Sequence, residues 1–381
     1  MLQKTAKAPL KRDSNIELFR IIAMFFIVAH HYVVNSGLNT ATGPIWQDPL
    51  SAKSLFLLTW GAFGKIGINC FVMITGYFMC RSTISAKKFA KLLFELMFYR
   101  IVIYSLFLIS GYSSFSLRSL VDCLIPFTSV ATNFTGTYIL FFLSIPFLNI
   151  LVHNLTEKQH LRLIALCAFI YVFFGTIPTF SVTMNYVSWY MVVFFTASYL
   201  RLYPKALFSN VKFWAIAFAA CVILCCGSVM VGAWIGVLTG IKSAHFFVAD
   251  SNNLLAYLTG ISSFMFFKNI RIRPSAIINT ISSTTFGILM IHANSDTMRK
   301  WLWEDVLHAT AMYHSDWMYL HAIVGTLVVF TACALIHLAV VYVFERPFFS
   351  IWDKHFNKIS DAYERWEAKL CRKWRIGEKK S

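Results

Sequence analysis

The chain has 381 residues, of which 58% are hydrophobic and only 13% are charged. A soluble domain usually carries about 25% charged residues, so the composition excludes an ordinary soluble globular protein. The net charge of +17 would suggest nucleic acid as a partner in a soluble protein, but its distribution along the chain argues against that partner.

Apolar runs of about 20 residues recur along the whole length, and each is long enough to cross the hydrocarbon core of a bilayer. We therefore predict an all-α, polytopic membrane helical bundle of about ten transmembrane helices. The predicted spans, in chain order, are 16–35, 57–79, 89–110, 136–153, 161–179, 187–202, 212–237, 252–269, 278–296 and 319–344. The polar segment 110–135 is predicted to be an outer loop with a short interfacial helix.

The basic residues favour a cytoplasmic location for both termini. With the N-terminus inside, the cytoplasmic segments hold 26 Lys and Arg residues and the outer segments hold six. An excess of Lys and Arg marks the cytoplasmic side of a membrane protein. The positive charge is thus mainly a topology signal, and a multi-pass location in the cell membrane follows, in bacteria the cytoplasmic membrane.

The chain divides into a basic N-terminal tail (1–14), a membrane domain (15–349) and a basic C-terminal tail (350–381). The C-terminal tail has the pattern of an amphipathic helix on the inner leaflet, although a solvated charged tail is the favoured alternative. The nine Cys are scattered, mostly within apolar runs, and have no metal-type spacing. We therefore predict no metal site.

The first predicted span, "NIELFRIIAMFFIVAHHY" (15–32), carries ionisable residues that a simple anchor would not need. On a helix, Arg20 and His31 are eleven steps apart and return to within about 20° of one face. Glu17 lies on the same stripe, and His31 is about 16 Å beyond Arg20 along the axis. One helix face therefore offers a cation at the inner rim and an imidazole deeper in the membrane.

That arrangement suits acyl-coenzyme A, which has phosphates at one end and a thioester at the other. Two structural alternatives remain open at this point. Arg20 can extend to the interface and pair with Glu17 at i, i+3. His31 can form an interhelical hydrogen bond.

Five segments in order resemble the membrane acyltransferase-3 family. "ELFRIIAMFFIVAHH" is similar to its first-helix signature, an Arg and a His separated by ten residues, which Arg20 and His31 match and His30 misses by one. The other four are "CFVMITGYFMCRS" (70–82), in which Thr75 replaces the usual Ser, "TYILFFLSIPFLNILVHNLTEKQ" (137–159), "ISSTTFGILMIHANS" (281–295) and "VYVFERPFF" (341–349).

The resemblance implies transfer of an acyl group, usually acetyl, from cytoplasmic acyl-CoA to a hydroxyl of an exported or cell-surface polysaccharide or of its lipid-linked precursor. The expected partners are therefore acyl-CoA, the glycan acceptor and membrane lipids, with acetyl-CoA as the donor. Imidazole titrates near working pH, which suits His31 as the general base. In a variant of this route, His31 is itself acylated and passes the group on. Glu17 is assigned to holding Arg20 or shaping the coenzyme entrance.

Other candidates have weaker support. Arg81 and Lys88, with Arg20, are predicted to bind the coenzyme phosphates, although topology alone also explains Lys87 and Lys88. Tyr138, Asn252 and His292 are predicted to contact substrate, and an interhelical hydrogen bond is the favoured alternative for His292. The candidate oxyanion donors are Asn69, Tyr138 and Asn252. Glu95 and Arg100 are expected to pair with other helices or with the coenzyme, and Glu345 to pair with a basic residue such as Arg20.

Two functions from other classes compete with this prediction. A transporter is disfavoured because the chain shows neither an internal repeat nor paired helices broken by Gly or Pro. A flippase or polymerase of lipid-linked sugars is a nearer rival, since it also has many spans and a polar outer loop.

Overall fold

The computed structural model of the protein describes residues 13–125, 134–177 and 185–374. Within these ranges the regular elements are helices, and no β-strand occurs. The all-α bundle predicted from the sequence is therefore confirmed for the described part of the chain.

In the first half of the chain, the described residues form ten helices. They are α1 (Ser14–Val34), α2 (Ala52–Trp60), α3 (Gly64–Met79), α4 (Ala86–Ile109), α5 (Leu117–Leu124), α6 (Phe134–Asn154), α7 (Glu157–Cys167), α8 (Phe174–Thr176), α9 (Tyr186–Leu202) and α10 (Val211–Thr239). A π-helical segment, Ala168–Phe173, joins α7 to α8. Helix α5 is the short helix expected within 110–135.

The second half forms eight more helices up to Trp374, where the described part ends. They are α11 (Leu254–Asn269), α12 (Ala276–Ser283), α13 (Thr285–His292), α14 (Asp296–Lys300), α15 (Ala309–Met312), α16 (Met318–Val340), α17 (Arg346–His355) and α18 (Asn357–Trp374). Two further π-helical segments, Trp301–Val306 and Val341–Glu345, follow α14 and α16. Short single-turn 3₁₀ helices lie at Pro44–Trp46 and Ala206–Ser209.

Seven helical stretches in the described part of the chain are long and apolar enough to cross a membrane. The pair Ala276–His292 and Asp296–Met312, bent by 97°, makes an eighth if it is one broken span. The two other predicted spans coincide with α9 and α11, which have 17 and 16 residues. The protein is therefore a multi-pass membrane protein, while ten spans and the side of each terminus stay predictions.

Helix α1 lies at the centre of the bundle, packed against α2, α3, α11, α12, α13 and α16. Its first residues are fixed by side-chain hydrogen bonds. Ser14 Oγ accepts from the backbone N–H of Ser275 at 2.9 Å and donates to Asn279 Oδ1 at 3.2 Å. The Asn15 amide donates to the carbonyls at the end of α11, among them Phe267 and Lys268, both at 3.0 Å. These last carbonyls have no partner within their own helix, so α1 starts by capping its neighbour.

Glycines let α3 approach α1 closely. A Cβ at Gly64 would lie 2.2 Å from His30 Cγ, and one at Gly67 would lie 2.6 Å from Ile27 Cγ1. The carbonyl of Gly61 accepts a hydrogen bond from His30 Nδ1 at 2.5 Å. Small residues at such positions are typical of close helix packing in membranes. This glycine groove, formed by Gly61, Gly64 and Gly67, fixes the position of the end of α1 that carries His30 and His31.

The C-terminal tail is helical as far as Trp374, the last residue that the structure describes, and α18 packs one side against the bundle while most of its described side chains are exposed. Helix α18 contacts α4 and α6. Glu367 on α18 is only 3% exposed, and its Oε1 accepts from the backbone N–H of Ile84 at 3.4 Å. Burial raises the pKa of this carboxyl above its usual range. The division of the chain at residues 14 and 349 stays a prediction.

The glycine groove gives a stability prediction. Gly64→Ala must displace the His30 ring and break its bond to Gly61, so we expect a loss of about 1–3 kcal/mol of stability, as in overpacked cores. Gly227→Ala is the matched control, because a Cβ there meets open space and alanine favours the helix. Thermal unfolding in detergent, monitored by size-exclusion chromatography, should show a lower midpoint for Gly64→Ala than for Gly227→Ala. Equal midpoints for the two variants would refute the packing role.

Candidate functional site

A cavity of about 920 Å³ lies at the C-terminal end of α1. Its walls come from α1, α3, α4, α5, α9, α13, α14 and the segment that includes His245 and Val248. His30 and His31 both line it. A volume of this size matches that of small-molecule sites, which lie between about 300 and 1,000 Å³. The imidazole singled out from the sequence thus borders a cavity.

A chain of hydrogen bonds fixes the His31 ring. His292 Nδ1 lies 2.6 Å from the carbonyl of Ile288, and His31 Nδ1 lies 2.9 Å from His292 Nε2. A carbonyl can only accept, so His292 Nδ1 carries a proton and, in the neutral ring, Nε2 accepts. His31 Nδ1 must then donate to it. The lone pair of His31 Nε2 is then the acceptor of the two rings that neither of these hydrogen bonds uses.

The neutral state of both rings follows from their surroundings. His292 is fully buried, and within the described ranges no carboxylate bonds to either ring. An imidazolium without an acidic partner is costly away from water. The interhelical bond, the favoured alternative for His292, is therefore present. His292 lies behind His31 and does not line the cavity. This position does not support the contact with substrate that the sequence predicted for it.

Asn35 is a site residue that sequence reasoning missed. It follows the last turn of α1, four residues after His31, and lines the same cavity. Its Nδ2 is buried and has no hydrogen-bond partner in the described part of the chain. The i, i+4 spacing to His31 was a signal that it shares a helix face. An amide donor is therefore available beside the imidazole.

The three predicted oxyanion donors are placed elsewhere. The Asn69 amide donates to the carbonyls of Ser251 and Ala256, and its Oδ1 accepts from Trp189 Nε1. Asn252 is 5% exposed and donates to the carbonyl of Tyr171 at 2.8 Å. Tyr138 Oη bonds with Thr75 Oγ1 at 3.0 Å. Asn69, Asn252 and Tyr138 do not line the His31 cavity, so the substrate contacts predicted for Asn252 and Tyr138 stay untested.

The stripe predicted on α1 packs along its length against the consecutive helices α12 and α13. The Glu17 carboxylate accepts a hydrogen bond from the Ser282 hydroxyl on α12, and His31 bonds to His292 on α13. Arg20 lies within electrostatic range of Tyr138, whose ring packs against Phe286 of α13.

Arg20 is not paired with Glu17. Both side chains lie in the described part of the chain, and no ion pair joins them there. Arg20 Nε is buried without a hydrogen-bond partner among the described residues. The structure does not join Glu17 to Arg20, since the Glu17 carboxylate accepts from Ser282 instead, and the role of Glu17 in shaping the coenzyme entrance stays a prediction. The guanidinium is left for another anion.

The remaining predicted cations lie at the Arg20 end of the bundle. Arg81 is exposed and donates to the carbonyl of Arg201 at 3.4 Å, and exposed Lys88 donates to the carbonyl of Thr83 at 3.2 Å. Neither lines the His31 cavity. Arg201, counted only as a topology signal in the sequence, has a buried Nε without a partner in the described ranges.

Glu345 pairs with a basic residue, but that residue is Lys91 and not Arg20. Lys91 Nζ lies 2.7 Å from Glu345 Oε1 and 3.6 Å from Glu95 Oε1. Both carboxyl groups are buried. Arg100, the other residue considered with Glu95, lines the His31 cavity instead.

The cavity is also lined by cations. They are Lys65, Arg100, Arg118 and Arg299, against the acidic residues Asp122 and Asp296. His245 adds a neutral imidazole: burial lowers its pKa, and its Nε2 donates to the carbonyl of Leu58 at 2.8 Å. No cluster of three potential metal ligands occurs within the described residues.

Comparison with known proteins identifies the family. The model of the acyltransferase-3 family, described as an acyltransferase domain, matches residues 13–345. A search of curated proteins and a search of solved structures each gave no match. The match extends from the start of α1 to the end of the π-helical segment at Glu345, and so includes Arg20, His31, Asn35 and His292. The chain therefore belongs to the acyltransferase-3 family and is a membrane acyltransferase.

Proposed function

We propose that the protein is an O-acyltransferase that moves an acyl group, acetyl in the first instance, from acyl-CoA to a hydroxyl of an exported or cell-surface glycan or its lipid-linked precursor. The observation that carries this proposal is the His31–His292 bond, which leaves an unprotonated imidazole nitrogen, Nε2, on a residue of the cavity wall. A sugar hydroxyl is a weak nucleophile, and such a nitrogen is the base that activates it.

The reaction needs three groups on this wall of the cavity. His31 Nε2 takes the proton of the acceptor hydroxyl as its oxygen attacks the thioester carbonyl. Asn35 Nδ2 donates to the oxyanion that forms on that carbonyl. When the carbon–sulfur bond breaks, the sulfur takes the proton from His31, so the products are an ester and free coenzyme A. His292 is a positioning residue, which holds the ring and its tautomer.

The route through an acyl-His31 intermediate uses the same lone pair as the nucleophile. In that case coenzyme A leaves as its thiolate while the acyl group stays on Nε2. The acceptor hydroxyl then attacks the acyl carbon, its proton passes to the thiolate, and His31 is released. His30 has the same tautomer, since its Nδ1 donates to Gly61. We assign the base to His31 because a second residue orients it and because it matches the family spacing to Arg20.

Arg20 is proposed to hold the anionic end of the coenzyme. It lies about 16 Å from His31 along α1, which suits an extended pantetheine arm. Its buried nitrogen has no partner in the part of the chain that the structure describes, and a buried charge of this kind calls for an anion. Arg81 and Lys88 at the same end are proposed to contribute to phosphate binding at the entrance.

The proposed direction of transfer rests on the distribution of charge. The segments joined to the Arg20 end are rich in Lys and Arg, which favours the cytoplasmic side, where acyl-CoA is made, for that end. The His31 cavity then lies toward the outer side and receives the glycan. In a bacterium this membrane is the cytoplasmic membrane.

The central role of His31 can be tested in the native host. His31→Ala should remove alkali-labile acyl esters from the cell-surface glycan, with a loss of rate of roughly 10²–10⁴-fold, while glycan amount and length stay unchanged. His314→Ala is the matched control, because His314 is exposed and lies outside the cavity. Unchanged acylation with lost glycan would instead favour a flippase or a polymerase.

Asn35→Ala should lower kcat by about 10²–10³-fold with little change in KM for acyl-CoA, since the lost hydrogen bond forms mainly in the transition state. Initial rates of labelled acetyl transfer in membranes of the native host measure this effect. Asn154→Ala, at an exposed amide outside the cavity, should behave like the wild type. A higher KM with an unchanged kcat would show that Asn35 binds the ground state only.

Arg20→Gln should raise KM for acyl-CoA by about 10–100-fold, which corresponds to the loss of hydrogen bonds to a charged group. Thermal stabilisation of the purified protein by coenzyme A should fall in parallel. Arg271→Gln is the control, because Arg271 is an exposed cation beside the α12 residues that contact the start of α1. If both variants bind coenzyme A as the wild type does, Arg20 does not hold the donor.

A further inference from the structure

The cations of the His31 cavity stand out against the charge pattern of the whole chain. Only six Lys and Arg residues fall in the predicted outer segments. Three of these six, Lys65, Arg118 and Arg299, line this one cavity. Arg100 joins them from within α4, where a charged side chain is costly. The positive-inside rule explains none of the four.

Two of the four cations already have protein partners. Arg299 Nη2 lies 2.9 Å from Asp296 Oδ1. Lys65 Nζ donates to Tyr186 Oη at 2.5 Å and lies 3.7 Å from Asp250 Oδ1. These pairs fix side chains along the wall.

Arg100 and Arg118 have no such partner within the described ranges. Arg100 Nη1 is buried without a hydrogen bond. Asp122 is close enough to act on Arg100 electrostatically, but no ion pair within 4.0 Å joins Asp122 to either arginine. A guanidinium on a cavity wall with a nitrogen that lacks a hydrogen-bond partner favours the binding of an anion, because an unpaired buried charge is costly.

We propose that the acceptor carries an anionic group, which binds between Arg100 and Arg118 while the acceptor hydroxyl lies at His31 Nε2. This inference deepens the proposed function and rests on it. The chemistry fits a carboxylate of an acidic sugar or a phosphate of a lipid-linked sugar. Planar carboxylates and tetrahedral phosphates both accept paired hydrogen bonds from a guanidinium. The group fixes which hydroxyl reaches the base, so it sets the position that is acylated.

Binding can be measured without acyl transfer, on the full chain in nanodiscs with two pairs of probes. The first pair is tetragalacturonate and its carboxyl-reduced counterpart. The second is farnesyl pyrophosphate and farnesol. The wild type should bind the charged member of one pair at least tenfold more tightly than the neutral member, and more weakly as salt is raised. Preference in the first pair identifies an acidic glycan, and preference in the second a lipid-linked phosphate.

Arg100→Gln and Arg118→Gln should each reduce that preference by about tenfold or more, and Arg100→Lys should restore part of it. Lys300→Gln is the matched control, because Lys300 is an exposed cation next to Arg299 that does not line the cavity. Coenzyme A binding should not change in any of these variants. No preference in either pair, or a loss of coenzyme A binding in Arg100→Gln, would overturn the proposal.

The same experiment separates this inference from the proposed function. His31→Ala should keep the preference for the charged probe and lose acyl transfer. If the wild type transfers acetyl but shows no charge preference, only the anionic acceptor is refuted. If it shows the preference but transfers no acyl group, the acyltransfer proposal fails and the cavity remains an anion site.

Discussion

The hydrogen bond between His31 and His292 is the interaction on which the account depends. It joins two residues 261 positions apart in sequence and ties the centre of the bundle to the α12–α13 arm of the bent pair. Because His292 Nδ1 donates to a backbone carbonyl, the donor and the acceptor are fixed in both hydrogen bonds that link His31 to His292 and His292 to Ile288. An imidazole held in this way is a base with a defined lone pair, whereas a free ring would exchange between tautomers.

The surrounding structure serves to keep this bond in place. Ser14 and Asn15 fix the start of α1 to α11 and α12, and the glycine groove of α3 holds its other end. The stripe of Glu17 and His31 therefore stays in register with α12 and α13. Close packing in membranes depends on such small residues and polar contacts, since lipid supplies no hydrophobic force between helices. Structure and proposed chemistry thus share the same contacts.

The sequence predicted well what depends on periodicity and composition. The helical class, the location of most spans and the shared face of α1 all follow from residue spacing, and the family follows from ordered motifs. The sequence did not predict which polar side chains would be hydrogen-bonded or ion-paired with other parts of the folded protein. Asn69 is used by Trp189 and two carbonyls, and Glu345 is used by Lys91. Such partners come from distant segments, so no local pattern specifies them.

The state of the His31 ring tests the central claim most directly. Nitrogen-15 NMR of the histidine-labelled protein in lipid, with His31 assigned by comparison with His31→Gln, reports which ring nitrogen carries the proton. We predict a neutral ring protonated at Nδ1, which loses this tautomer in His292→Leu and keeps it in His292→Gln. A ring protonated at Nε2, or an imidazolium, in the wild-type protein would contradict the assignment of His31 as the base.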